Sequence, residues 1–260
     1  MNKLIKMTGV SVIALSAALY VSSLTETMAK DITQQSDLKN FSKVKLNTGA
    51  DIKISMGKSY SIVLSGDEER IGNTELEVKG GTLKIKQKER NVHYDSDQKM
   101  LITMVMPNIE EMQINGSGDG EITGVNNKSL TLSINGSGDL DVSGKTDALG
   151  ISINGSGDIR MDEVRGKDVT VSINGSGDVE LDGGSCQTFK IGIRGSGDVE
   201  AKDMKCKDVD VNVSGSGDSS VYASNSLKFD NHGSGNVDVY GKPKTVIDSE
   251  AKRRSKITVH

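Results

Sequence analysis

The sequence has no tryptophan, only two prolines and three histidines, and aromatic residues make up 3% of it. So few rings leave little for platforms on which sugars stack. Phe189, Phe229, Tyr222 and Tyr240 are the aromatics of residues 107–241, and the first two fall on inward phases of the pattern described below. With 2 Pro against 30 Gly, the chain lacks the proline of a disordered linker and is too glycine-rich for an ordinary packed globule. A repetitive β structure, with glycine at regular bends, fits this composition.

Catalytic inventories are thin. His93, His232 and His260 are scattered without metal-ligand spacing. Serines sit in turn-like contexts without a triad pattern. No phosphate-cradling loop follows a strand and opens a helix. The net charge is −4 and its signs are interspersed. The one basic cluster, Lys252, Arg253 and Arg254, reads as a solvated tail, so no nucleic-acid partner is expected.

Residues 1–29 read as an address. Lys3 and Lys6 precede an uncharged, largely apolar stretch at residues 7–24, and Thr27, Met28 and Ala29 supply a small-residue cleavage site before Lys30. A cleaved signal peptide is the favoured reading. The competing one is an uncleaved anchor, because 18 residues just reach spanning length; the membrane would then be met only through this segment. No cysteine lies near the site, which excludes a lipoprotein signal. The segment carries Lys3, Lys6 and Glu26, so its removal leaves the chain one unit more negative.

The strongest feature is a repeat. Gly-Ser-Gly begins at Gly116, Gly136, Gly155, Gly175, Gly195, Gly215 and Gly233, with spacings of 20, 19, 20, 20, 20 and 18 residues. A nearly fixed period means a solenoid or an array. Around the second motif, Leu130, Leu132 and Ile134 alternate with Thr131 and Ser133, and Leu140 and Val142 alternate with Asp141 and Ser143. Period two on both sides predicts two short strands per coil, each with one buried face. The alternation carried through the motif puts both glycines inward, where a Cβ is expected to meet the opposite wall or prevent the bend. It puts Asn, Ser and Asp outward.

The fold predicted is therefore all-β, a parallel β-helix or solenoid of roughly 20-residue coils. At about 4.8 Å per coil, seven coils make a rod on the order of 30 Å long. Residues 30–37 form a short linker and residues 38–260 a single solenoid domain. Within it, residues 38–106 are irregular coils and an N-terminal cap, residues 107–241 the repeats, and residues 242–260 a C-terminal cap. Residues 87–99 (QKERNVHYDSDQK) read as an exposed loop.

Three stretches carry a resemblance to a known family: residues 41–54 (FSKVKLNTGADIKI), 105–119 (VMPNIEEMQINGSGD) and 233–243 (GSGNVDVYGKP). Over roughly residues 38–243 the chain resembles the family called "putative autotransporter adhesin, head GIN domain". The resemblance implies a right-handed, pectin-lyase-like superhelix with Gly-Ser-Gly at the turns between sheets. It also implies an adhesion role without known catalytic residues. No run of alternating apolar strands of the membrane-barrel kind follows the repeats, so the chain is expected to carry no exporter of its own.

Three outward features are the candidate sites. Asp119, Asp139, Asp158, Asp178, Asp198 and Asp218 should stack, with Asn236 completing the row. Such a row either binds Ca²⁺ or, as the favoured reading has it, bonds the turn backbone with its side chains in solvent. Asn115, Asn135, Asn154 and Asn174 should form an amide ladder that Arg194 interrupts. Arg194 beside Asp178 and Asp198 reads either as a lyase-like base or, as favoured, as a counter-charge to the Asp row. The third feature is Cys186 with Cys206, each 11 residues after the first glycine of its motif. Equivalent positions on consecutive coils bring their Cα atoms to about 4.8 Å, within disulfide range.

No catalytic residue, metal or cofactor is expected. The leading function is an exported envelope or surface module for adhesion, binding or structure, in the periplasm, on the outer membrane or outside the cell. Its expected partners are envelope or extracellular glycans or proteins. The rivals are a polysaccharide lyase-like enzyme and a Ca²⁺-stabilised scaffold.

Overall fold

The structure, a computed structural model, describes residues 31–89, 92–94, 98–249 and 256–260. The expected signal peptide and the basic triplet at Lys252, Arg253 and Arg254 lie outside the described residues. Among the described residues no helix is long and apolar enough to cross a membrane.

The chain begins with β1 (Asp31–Ser36), β2 (Lys43–Asn47), β3 (Asp51–Met56) and β4 (Ser61–Asp67). A five-residue helix, α1 (Glu68–Gly72), leads into β5 (Thr74–Lys79), β6 (Thr82–Gln87) and β7 (Met100–Met106). The repeats supply β8 (Glu111–Gly116), β9 (Gly120–Asn127), β10 (Leu130–Gly136), β11 (Leu140–Thr146), β12 (Ala148–Gly155), β13 (Ile159–Arg165) and β14 (Asp168–Gly175). The long strands β15 (Val179–Gly195), β16 (Val199–Gly215) and β17 (Ser219–Asn231) each run around a corner. The chain closes with β18 (Val237–Tyr240), β19 (Thr245–Asp248) and β20 (Ile257–Val259).

The predicted two-strand coil is what forms. The strand before each Gly-Ser-Gly pairs in parallel with its equivalents, as β8, β10, β12 and β14 do, with Asn135 between Asn115 and Asn154. The strand after it does the same through β9, β11, β13 and β15. Inward residues are buried to a few per cent or less, including Leu132, Ile134, Leu140, Ile153, Val171, Phe189 and Phe229. They make one continuous core between the two sheets.

The glycines follow a different rule from the one expected. The second glycine of each motif is buried, whereas the first is half-buried and, from Gly116 to Gly195, has φ between 137° and 150°. A Cβ on either would strike the carbonyl oxygen of the equivalent glycine one coil below, not the opposite wall: Gly136 against Gly116, Gly138 against Gly118. Close stacking along the rod is thus what excludes a side chain there, and at the first glycine the left-handed φ adds to it.

The N-terminal rungs stack out of sequence order. β2 pairs with β6 on one side and β8 on the other, and β3 lies between β7 and β9. The chain lays down one rung, turns back through β4, α1 and β5, passes underneath as β6–β7, and then climbs past its first rung to β8. This end is closed by antiparallel pairs, β1–β4, β4–β7 and β5–β6. Asp67 caps α1 by accepting from the Arg70 backbone at 2.9 Å. Ile71 and Phe41 fill the core there, and the Tyr60 hydroxyl donates to the Phe41 carbonyl at 3.0 Å. At the other end β19 continues the stack on β17 and β20 on β18.

Candidate functional site

The repeat brings like residues into columns because parallel, in-register coils leave no other neighbour. The Asn column is a chain of amide bonds. Nδ2 of Asn135 donates to Oδ1 of Asn115 at 2.8 Å, Asn154 to Asn135 at 3.0 Å and Asn174 to Asn154 at 3.0 Å. One member was not foreseen: Asn115 donates to Asn47 at 2.5 Å. The segment Asn47-Thr48-Gly49-Ala50-Asp51 stands where later coils have Asn-Gly-Ser-Gly-Asp, so the signal was present without the glycine pair. Arg194 is exposed, in register with Asn174 and Ser214, and has no salt bridge among the described residues. It ends the ladder, and the structure places it in no ion pair with Asp178 or Asp198.

The Asp column is bonded to backbone one coil away. Oδ1 of Asp119 accepts the amide N–H of Asp139 at 2.9 Å, and the relation repeats from Asp139 to Asp158, Asp158 to Asp178, Asp178 to Asp198 and Asp198 to Asp218. Asp51 starts the series and Asp218 hands it to Asn236. These charge-assisted bonds offset the repulsion between stacked carboxylates. Among the described residues no group of acidic, His or Cys side chains is arranged to hold a metal ion.

Cys186 and Cys206 are in register on β15 and β16, buried, with Cα atoms 4.4 Å apart and sulfurs at bonding distance. Of the histidines, His260 lies 3.4 Å from Asp238 and stacks on Tyr240 with centroids 4.7 Å apart.

What the ladders leave for a ligand is the two outer sheet faces, and these differ. The face before the turns presents small neutral groups in its middle coils: Thr131, Ser133, Ser152, Thr170 and Ser172. The face after them is acidic. Open grooves of about 470 and 370 Å³ there are lined by Asp141, Glu180, Glu200, Asp162 and Asp182 among others, with Arg160 the one cation in both. Lys53 pairs with Glu121 at 2.7 Å, Arg160 with Glu180, and Lys202 with Glu200. Partial burial, then the neighbouring Glu180, hold the Asp182 carboxyl above its usual range. Towards the N-terminal end a wider groove of about 770 Å³ is bordered by Asp31, Thr33, Lys53, Lys99, Asp119 and Glu121. This division was readable from Ser/Thr before the motifs at Gly136, Gly155 and Gly175 and from Asp/Glu after those from Gly116 to Gly195.

These features define the class: a parallel β-solenoid whose turn polar groups are engaged in bonds between coils and whose sheet faces are open. The chain belongs to the family described as "Putative auto-transporter adhesin, head GIN domain", which matches residues 40–162 and 141–243. Among solved structures, it is similar to a "putative adhesin" from Parabacteroides merdae, with 17% identity and TM-score 0.79 over 89% of this chain and 96% of that one. A "putative adhesin" from Parabacteroides distasonis has 16% identity and TM-score 0.80 over 90% and 98%. A "Putative lipid binding protein" from the same species has 22% identity and TM-score 0.75 over 88% and 96%. At these identities the likeness establishes the fold. No curated protein matches the chain.

Proposed function

We propose that the chain is an exported, non-catalytic binding module that meets an envelope or extracellular ligand with its acidic sheet face. The observation that carries this reading is the even spread of outward chemistry. The Asn and Asp columns serve the stack, and no coil among those described gathers a nucleophile, a base and an anion-binding group. A face lined by Asp141, Glu180 and Glu200 repels polyanions and suits a basic or neutral protein or glycan.

Residues 30–260 would be tested against neutral, acidic and amino-bearing glycans, basic proteins and lipid vesicles, with Ca²⁺ and with chelator. The lipid arm follows from the description of one solved neighbour. Saturable binding that weakens with salt and is lost in Glu180→Lys/Glu200→Lys supports the proposal. Turnover of an acidic polysaccharide that disappears in Arg194→Ala would replace it with the enzyme reading, and binding untouched by the double variant would move the site off this face.

A further inference from the structure

The two ends of the rod are unlike. The N-terminal end is plugged by α1 and finishes in the antiparallel strands β1 and β5, whereas the last rung has no such plug; like β1 and β5, β19 and β20 each pair on one edge among the described residues. The exposed large hydrophobic side chains among the described residues all lie on this rung: Val246 at 45%, Ile247 at 51% and Val259 at 52%. Val246 is in register with buried Leu227, and Val259 with buried Val239, so these two continue the core and stop at solvent. Unpaired edges beside open core are what strand pairing between chains uses.

We infer that the occupant of this end is a second copy of the chain, tail to tail about a two-fold axis. Such an axis, perpendicular to the sheet, turns β19 against its copy in antiparallel fashion. Residues directly opposed in an antiparallel pair lie on the same face, so opposed positions have the same phase. With the axis at Val246, Val246 meets Val246, Thr245 meets Ile247, and Lys244 meets Asp248 twice. The strand is therefore its own complement in apolar contact and in charge, as an isologous interface requires. A carboxylate can serve two cations, so the pairing does not require Asp248 to be otherwise unengaged. The contact closes on itself, because an isologous pairing uses up the last rung of both copies. This inference is independent of the ligand-binding proposal, since the acidic face takes no part in it.

Sedimentation of residues 30–260 from roughly 10 µM to 1 mM tests it. The expected result is a reversible monomer–dimer equilibrium. Val246→Lys opposes two charges at the axis and should give monomer throughout, with an unchanged circular dichroism spectrum. Lys244→Asp should weaken the dimer at least tenfold, and Lys244→Asp/Asp248→Lys should restore it. Monomer at every concentration, open-ended growth, a dimer indifferent to Val246→Lys, or failure of the exchanged pair to recover would each overturn the inference.

Discussion

Replacing Cys186 and Cys206 together by alanine isolates the contribution of one covalent rung. The bond would close a loop of 20 residues. The chain-entropy relation assigns such a loop about 3 kcal/mol, drawn from the unfolded ensemble. Side-chain loss adds little, because Ala223 already occupies the same column one coil on and is fully buried. For a chain of this size, about 3 kcal/mol corresponds to a fall in melting temperature of about 6–12 °C. Reducing the parent protein should produce the same fall, and reducing the variant none. Calorimetry on oxidised and reduced samples measures both, beside a thiol count on unreduced, denatured residues 30–260. Two free thiols per chain, or equal melting temperatures for oxidised parent and double variant, would refute the reasoning.

Gly157→Ala places a Cβ against the Gly138 carbonyl oxygen in mid-stack and should cost about 1–3 kcal/mol or more in denaturant titration. Gly192→Ala, with nothing within 4 Å of the added carbon, should stay within about 0.5 kcal/mol. Asp158→Ala removes the acceptor of the Asp178 amide and should cost about 1 kcal/mol, whereas Asp158→Asn keeps the oxygen, removes one charge from the stacked row and should be neutral or stabilising. For Asp182, a folded-state pKa above the usual 3.8 means that its charged form opposes folding: the penalty is absent at lower pH and appears as pH rises through the shifted pKa. Asp182→Asn should therefore raise the melting temperature slightly at pH 7 and not at about pH 3, and an equal gain at both would remove the electrostatic explanation.

Period, strand phase and the pairing of the two cysteines were all legible in the chain, because each follows from alternation within a strand and from one repeat length. Phe189 and Phe229 are buried where their phase put them, and Cys186 faces Cys206 because both lie equally far from their motifs. What lies across from a coil depends instead on the path of the whole chain. Only the folded molecule placed β2–β3 between β6–β7 and β8–β9, and with it Asn47 and Asp51 at the foot of ladders whose first visible members were Asn115 and Asp119. The same holds for the glycines. Their inward phase suggested the far wall, but the atom nearest a Cβ belongs to the coil beneath, at stacking distance. The acidic face is likewise a sum over many coils, and stacking brings its members together from positions about 20 residues apart.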